Sequence, residues 1–115
     1  MLSKGVKAAL LDLAQNIDLA EAFTDGFQYE GFAADTRTFY AVTRCLEIIS
    51  EASRKLPPEM KARHGNIPWP QIAGAGNVYR HEYGGVAHRL VWHTVKDELP
   101  ALRLAIAAEM SCLES

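Results

Sequence analysis

Apolar residues recur along the first part of the chain at Leu2, Val6, Leu10, Leu13, Ile17 and Ala20, in alternating steps of four and three. That spacing brings one stripe of side chains to one face of a helix, predicted over about residues 3–24. Asp25-Gly26 closes it, because glycine adopts the left-handed conformation at a helix end without steric cost. A linker with Tyr29, Gly31 and Phe32 follows. Phe39, Val42, Leu46, Ile49 and Ala52 then repeat the helical step and predict a second helix over about residues 34–55. Pro57-Pro58 ends it and starts a short helix over residues 59–64, since proline lacks only an N–H that a first turn leaves unbonded anyway. Gly65-Asn66 stops that piece, and Pro68-Trp69-Pro70 begins another that puts Trp69 and Ile72 on one side and ends by Gly84-Gly85. Gly74 and Gly76 each weaken this helix by roughly 1 kcal/mol relative to alanine, so something other than propensity must hold it. Val91, Val95, Leu99, Leu102, Ile106 and Met110 predict a long last helix, kinked near Asp97–Pro100 by the proline in its middle. Strand alternation and internal repeats are absent from the sequence. The pattern predicts an all-α, up-and-down helical bundle of four long helices plus a short one.

At 115 residues, 49% hydrophobic and 23% charged, the chain has room for one core and no apolar run long enough to span a bilayer. A single domain over residues 1–115 is expected, with no membrane association. Lys4 and Lys7 precede a short apolar stretch, but Asp12, Asn16 and Asp18 interrupt it, so it makes a poor signal peptide and the expected compartment is cytoplasmic. Two cysteines, Cys45 and Cys112, form neither a disulfide framework nor a zinc spacing, and both are expected as reduced thiols. The net charge of −2 argues against a uniformly basic surface, yet the charge is unevenly placed. Residues 61–96 carry Lys61, Arg63, Arg80, Arg89 and Lys96 against Glu82 alone, and all four histidines, His64, His81, His88 and His93, fall there. A polyanion could find a local positive field in that stretch, although a merely solvated basic face fits it equally well.

Few motifs for catalysis survive inspection. His81-Glu82 begins like a zinc-protease motif, but position 85 is glycine rather than histidine. His88 and His93 stand five apart, off a shared helix face. Gly74-Ala75-Gly76 lacks the third glycine and the preceding strand of a dinucleotide loop, which leaves chance or close helix packing to explain it. No metal and no cofactor are expected. The second helix carries Arg37, Tyr40, Arg44, Glu47 and Glu51 as a polar stripe, which an ion-paired solvent face would also explain. The run Asn77-Val78-Tyr79-Arg80-His81-Glu82-Tyr83 packs an amide, a guanidinium, an imidazole, a carboxylate and two phenols into seven residues before the double glycine. Histidine both takes and gives a proton near neutral pH, and a guanidinium stabilises a phosphorane-like transition state. Metal-free RNA cleavage by the ribose 2′-hydroxyl needs little more, while a helix-end histidine with purely structural partners is the plainer explanation of the same residues.

Several blocks resemble the HepT-like family, a branch of the HEPN superfamily of helical ribonuclease domains. They are Leu46-Glu47-Ile48-Ile49-Ser50-Glu51-Ala52, Ile67-Pro68-Trp69 with Ile72, Asn77 with His81-Glu82-Tyr83, Val91-Trp92 and Leu99-Pro100, with Phe32 and Asp35 ahead of them. Their order and spacing cover roughly residues 35–105. The resemblance implies a HEPN-like all-α homodimer that acts as the RNA-cleaving toxin of a toxin–antitoxin pair, with RNA as substrate and the active cleft at the dimer interface. It also implies a partner, a minimal nucleotidyltransferase antitoxin that transfers AMP onto the motif tyrosine.

The family motif is an arginine, four residues, a histidine, one residue and a tyrosine. Mapped onto this chain it makes His81 the acid/base, Tyr83 a site residue and the adenylylation target, and Asn77 the polar residue after the arginine. The arginine position itself is Gly76, and losing such a charge donor commonly costs about two to three orders of magnitude in rate. Arg44 or Arg80 could supply the charge from another direction, with Glu51 and Arg44 lining the cleft. Alternatively the chain keeps the scaffold as a non-catalytic partner of the nucleotidyltransferase.

Overall fold

A computed structural model of the chain describes residues 3–77 and 85–114. Helix α1 (Lys4–Thr24) starts where Ser3 Oγ accepts the Val6 N–H at 3.2 Å, a cap worth about 1 kcal/mol. It ends just before Gly26, whose φ of 81° no side-chain-bearing residue adopts cheaply. A six-residue helix, α2 (Tyr29–Ala34), fills what the sequence pattern leaves as a linker. Its Phe32 is fully buried and its ring lies 5.1 Å from Trp92 and 6.0 Å from Phe39. Helix α3 (Thr36–Arg54) is capped by Asp35, whose Oδ1 accepts the Thr38 N–H at 3.1 Å.

Two short helices follow, α4 (Pro58–Ala62) and α5 (Trp69–Gly74), each with proline in its first turn. Between them Trp69 Nε1 donates to the carbonyls of Lys61 and His64, both at 3.1 Å, which closes the connecting loop over buried Met60 and Ile67. The chain then makes a single 3-10 turn, Ala75–Asn77. After residues 78–84 it resumes in α6 (Gly85–His93), passes through a π turn at Thr94–Glu98 and continues as α7 (Leu99–Glu114). The interruption expected near Pro100 takes this form: the Leu99 N–H reaches back five residues to the Thr94 carbonyl. A wider turn ahead of the proline makes room for a ring that cannot donate to the carbonyl four residues earlier.

All described elements are helical, in keeping with the all-α bundle that the pattern predicts. Helix α1 packs along α3 and α7, while α5 and the 3-10 turn lie on another side of α3 and α2 bridges α3 and α6. Every predicted stripe faces inward: Leu10, Leu13, Ile17, Ala20, Phe39, Val42, Leu46, Ile49, Ala52, Val91, Val95, Leu99, Leu102 and Ile106 are buried. Each large aliphatic among them contributes about 1.5–3 kcal/mol by leaving water. No described helix is long and apolar enough to cross a membrane.

The basic stretch spends much of its charge on structure. Arg63 and His64 both close on Glu109 of α7, with Arg63 bonding the two carboxylate oxygens at 2.8 and 3.2 Å and His64 Nε2 at 2.6 Å. Lys61 lies over Trp69, Arg89 over Tyr29 and Lys96 over Trp92. Neither cysteine forms a disulfide among the described residues; burial pushes the Cys45 thiol up from its ordinary range, which keeps it protonated.

Candidate functional site

Helical spacing carries Arg44, Glu47, Glu51 and Arg54 along one edge of α3, because steps of three and four keep side chains on one face. The 3-10 turn comes down beside that edge. Between the two lies a polar cleft of about 270 Å³, walled by these four side chains with Ser50, Gly76 and Asn77. Arg44, Glu51 and Asn77, three of the residues expected to form the site, therefore meet in one place.

The turn is fastened to α3 through its backbone. Ser50, 1% exposed, donates from Oγ to the Ile72 carbonyl at 2.8 Å and accepts the Gly76 N–H at 2.8 Å. One turn further along α3, Arg54 donates to the Ala73 carbonyl and pairs with Glu51 at 3.3 Å. Gly76 sits so close to α3 that a Cβ built on it would stand 2.7 Å from the Cα of Glu47 and 3.0 Å from both the Leu46 carbonyl oxygen and Ser50 Oγ. Gly74, by contrast, has nothing within 4 Å of such a Cβ. Close packing thus accounts for the second glycine of the pair. It also supplies the hold that poor helix propensity demands of this segment.

The cleft carries both signs of charge. Arg44 pairs with Glu47 at 3.3 Å on the open side, where its side chain is 71% exposed, while the Arg54–Glu51 pair sits against the backbone of α5. Neutral hydrogen-bonding groups complete the wall, among them the Asn77 side chain at the end of the turn. This mixture can bind a phosphodiester and its ribose, with guanidinium forks matching phosphate oxygens. Among the described residues no group of three His, Cys, Asp or Glu side chains could hold a metal ion. His81, Tyr83 and Arg80 lie outside the described residues, in the stretch that begins one residue after Asn77.

Arg54 and the role of Ser50 escape a reading of the sequence. Arg54 stands in the last turn of α3, where a cation is ordinarily read as complementing the helix dipole. Ser50 stands four residues after Leu46 and directly after Ile49, in register with the apolar stripe, and a hydroxyl at a core position that must find a partner is the one available signal.

The family model described as "Ribonuclease HepT-like" matches residues 13–109. A probable ribonuclease HepT of Thermococcus cleftensis is 40% identical over 102 residues, covering 89% of this chain and 93% of that protein. A putative RNase of Methanocaldococcus jannaschii is 36% identical over 103 residues, covering 90% of this chain and 85% of its own. A putative RNase of Caldanaerobacter subterraneus is 42% identical over 77 residues, or 67% of this chain and 69% of that protein. No solved structure matches the chain significantly.

Proposed function

The chain belongs to the ribonuclease HepT-like family, and on that footing we propose that it is the RNA-cleaving toxin of a toxin–antitoxin pair. The observation that carries the reading is the polar cleft where Arg44, Glu51 and Asn77 converge, immediately ahead of the segment with His81 and Tyr83. In the proposed reaction the ribose 2′-oxygen attacks the adjacent phosphorus while His81 takes its proton. The bond from phosphorus to the 5′-oxygen then breaks, and the leaving oxygen receives the proton from His81. The products are a 2′,3′-cyclic phosphate and a 5′-hydroxyl, with no water or metal consumed. A homodimer with the cleft at its interface is the proposed assembly, and the exposed Tyr40 on the same edge of α3 suits such a contact.

Control is proposed to come from a minimal nucleotidyltransferase that places AMP on the Tyr83 phenol, adding negative charge where an RNA phosphate would bind. Gly76 in place of the family's arginine favours a second reading, in which the chain keeps the scaffold and binds the nucleotidyltransferase without cutting RNA. Expression without the nucleotidyltransferase separates the two. Growth arrest that His81→Ala abolishes supports the nuclease, and unimpaired growth with the wild-type chain supports the partner. A mass gain of one AMP on the wild type but not on Tyr83→Phe, after co-expression, tests the modification in either case.

A further inference from the structure

If this protein cleaves RNA, some group must meet the phosphate charge, and position 76 is closed to a side chain. Its Cα–Cβ direction runs into the α3 backbone, with the Glu47 Cα at 2.7 Å. An arginine there would push the turn off α3 and break the Gly76 N–H bond to Ser50. The guanidinium groups that line the cleft among the described residues are Arg44 and Arg54.

They are held differently. Arg44 is tied to Glu47, a neighbour on its own helix, and its side chain is largely in solvent, so ordering it around a ligand costs side-chain entropy. Arg54 reaches across to the Ala73 carbonyl and is steadied by Glu51. A guanidinium has five N–H donors, so two contacts leave others for a phosphate oxygen. Glu51 is mostly exposed and can turn away when a phosphate arrives, whereas the Ala73 carbonyl keeps the guanidinium in place. We propose that Arg54, anchored on Ala73 and flanked by Glu51, is the phosphate-binding residue for RNA in this chain, serving where the family's motif position has become Gly76. The inference rests on the ribonuclease reading above.

The test is fluorescence-anisotropy binding of a single-stranded 2′-O-methyl oligoribonucleotide, which cannot be cut, to the full chain over a range of salt. Arg54→Ala is expected to weaken binding about tenfold, the loss of one charged hydrogen-bonding group. It should also reduce the slope of log affinity against log salt by about 0.7, the share of one phosphate contact on a single strand. Glu51→Gln is expected to tighten binding, since it removes the carboxylate that competes for the guanidinium. Melting curves accompany each variant. Should Arg54→Ala fail to fold, Arg54→Lys carries the test: it keeps the charge but not the fork, and is expected to keep the salt slope and lose about threefold in affinity. Arg54 variants that bind like the wild type at every salt concentration overturn the inference and leave the ribonuclease reading standing. A wild-type chain that does not bind the oligonucleotide overturns both.

Discussion

Replacing Gly76 with alanine isolates the contact between the 3-10 turn and α3. Carbon atoms pack comfortably at about 3.5–4.0 Å, and the new Cβ would meet the Glu47 Cα at 2.7 Å. That neighbour is backbone in the middle of a helix and cannot rotate aside, so the turn itself must move by close to an ångström. Overpacking of this kind costs about 1–3 kcal/mol, and stretching the Gly76 N–H bond to Ser50 adds up to about 1 kcal/mol. The reduced freedom of the unfolded chain returns about 0.4–1 kcal/mol. The net expectation is a loss of about 2 kcal/mol, or a melting temperature lower by about 8 °C for a domain of this size. Circular-dichroism melts of the full chain measure it. Gly74→Ala is the control, because no atom stands within 4 Å of its Cβ, and it should stabilise by about 0.5–1 kcal/mol. If Gly76→Ala melts within about 1 °C of the wild type, or if the two alanine variants shift together, the close-approach argument is wrong.

Two further perturbations bear on the same frame. Ser50→Ala strands the Ile72 carbonyl and the Gly76 N–H in a buried place, for a loss of about 1–3 kcal/mol in urea titration; it should not rescue Gly76→Ala, since the Glu47 Cα still blocks the Cβ. The Arg63 guanidinium hydrogen-bonded to Glu109 holds that carboxyl below its ordinary range, with His64 adding to the effect and burial opposing it. A depressed carboxyl pKa stabilises the fold above the unfolded value, and the contribution disappears as pH falls through the folded one. Glu109→Gln should therefore be less stable than the wild type at neutral pH, by an amount that solvent screening of the half-exposed Arg63 keeps modest, with the gap narrowing as the solution is acidified below the usual carboxylate range. A gap that stays constant with pH would show that the pair does not set this dependence.

The long helices were legible because burial imposes a period. Leu10, Leu13 and Ile17, or Val42, Leu46 and Ile49, can leave water together only on one helical face, and all six are buried. Helix α2 was not legible, because six residues hold less than two turns and its one fully buried side chain, Phe32, displays no period. The π turn was visible only as a proline in the wrong place. At the site, Arg44, Glu51 and Asn77 could be named from spacing and resemblance. Ser50 and Arg54 act on backbone carbonyls and an amide of another segment; a hydroxyl at a core position signals that Ser50 needs a partner, but nothing local in the sequence says which distant segment supplies it. Gly76 looked like a missing catalytic residue from the motif alone; the structure gives it a packing reason of its own.

Cleavage of single-stranded RNA by the purified protein in excess EDTA decides whether this chain cuts RNA with His81, as proposed above. Wild-type protein is expected to yield fragments ending in 2′,3′-cyclic phosphate, and His81→Ala none above background. Wild-type protein that leaves the RNA intact, or a His81→Ala variant that cuts as well as the wild type, would rule that chemistry out.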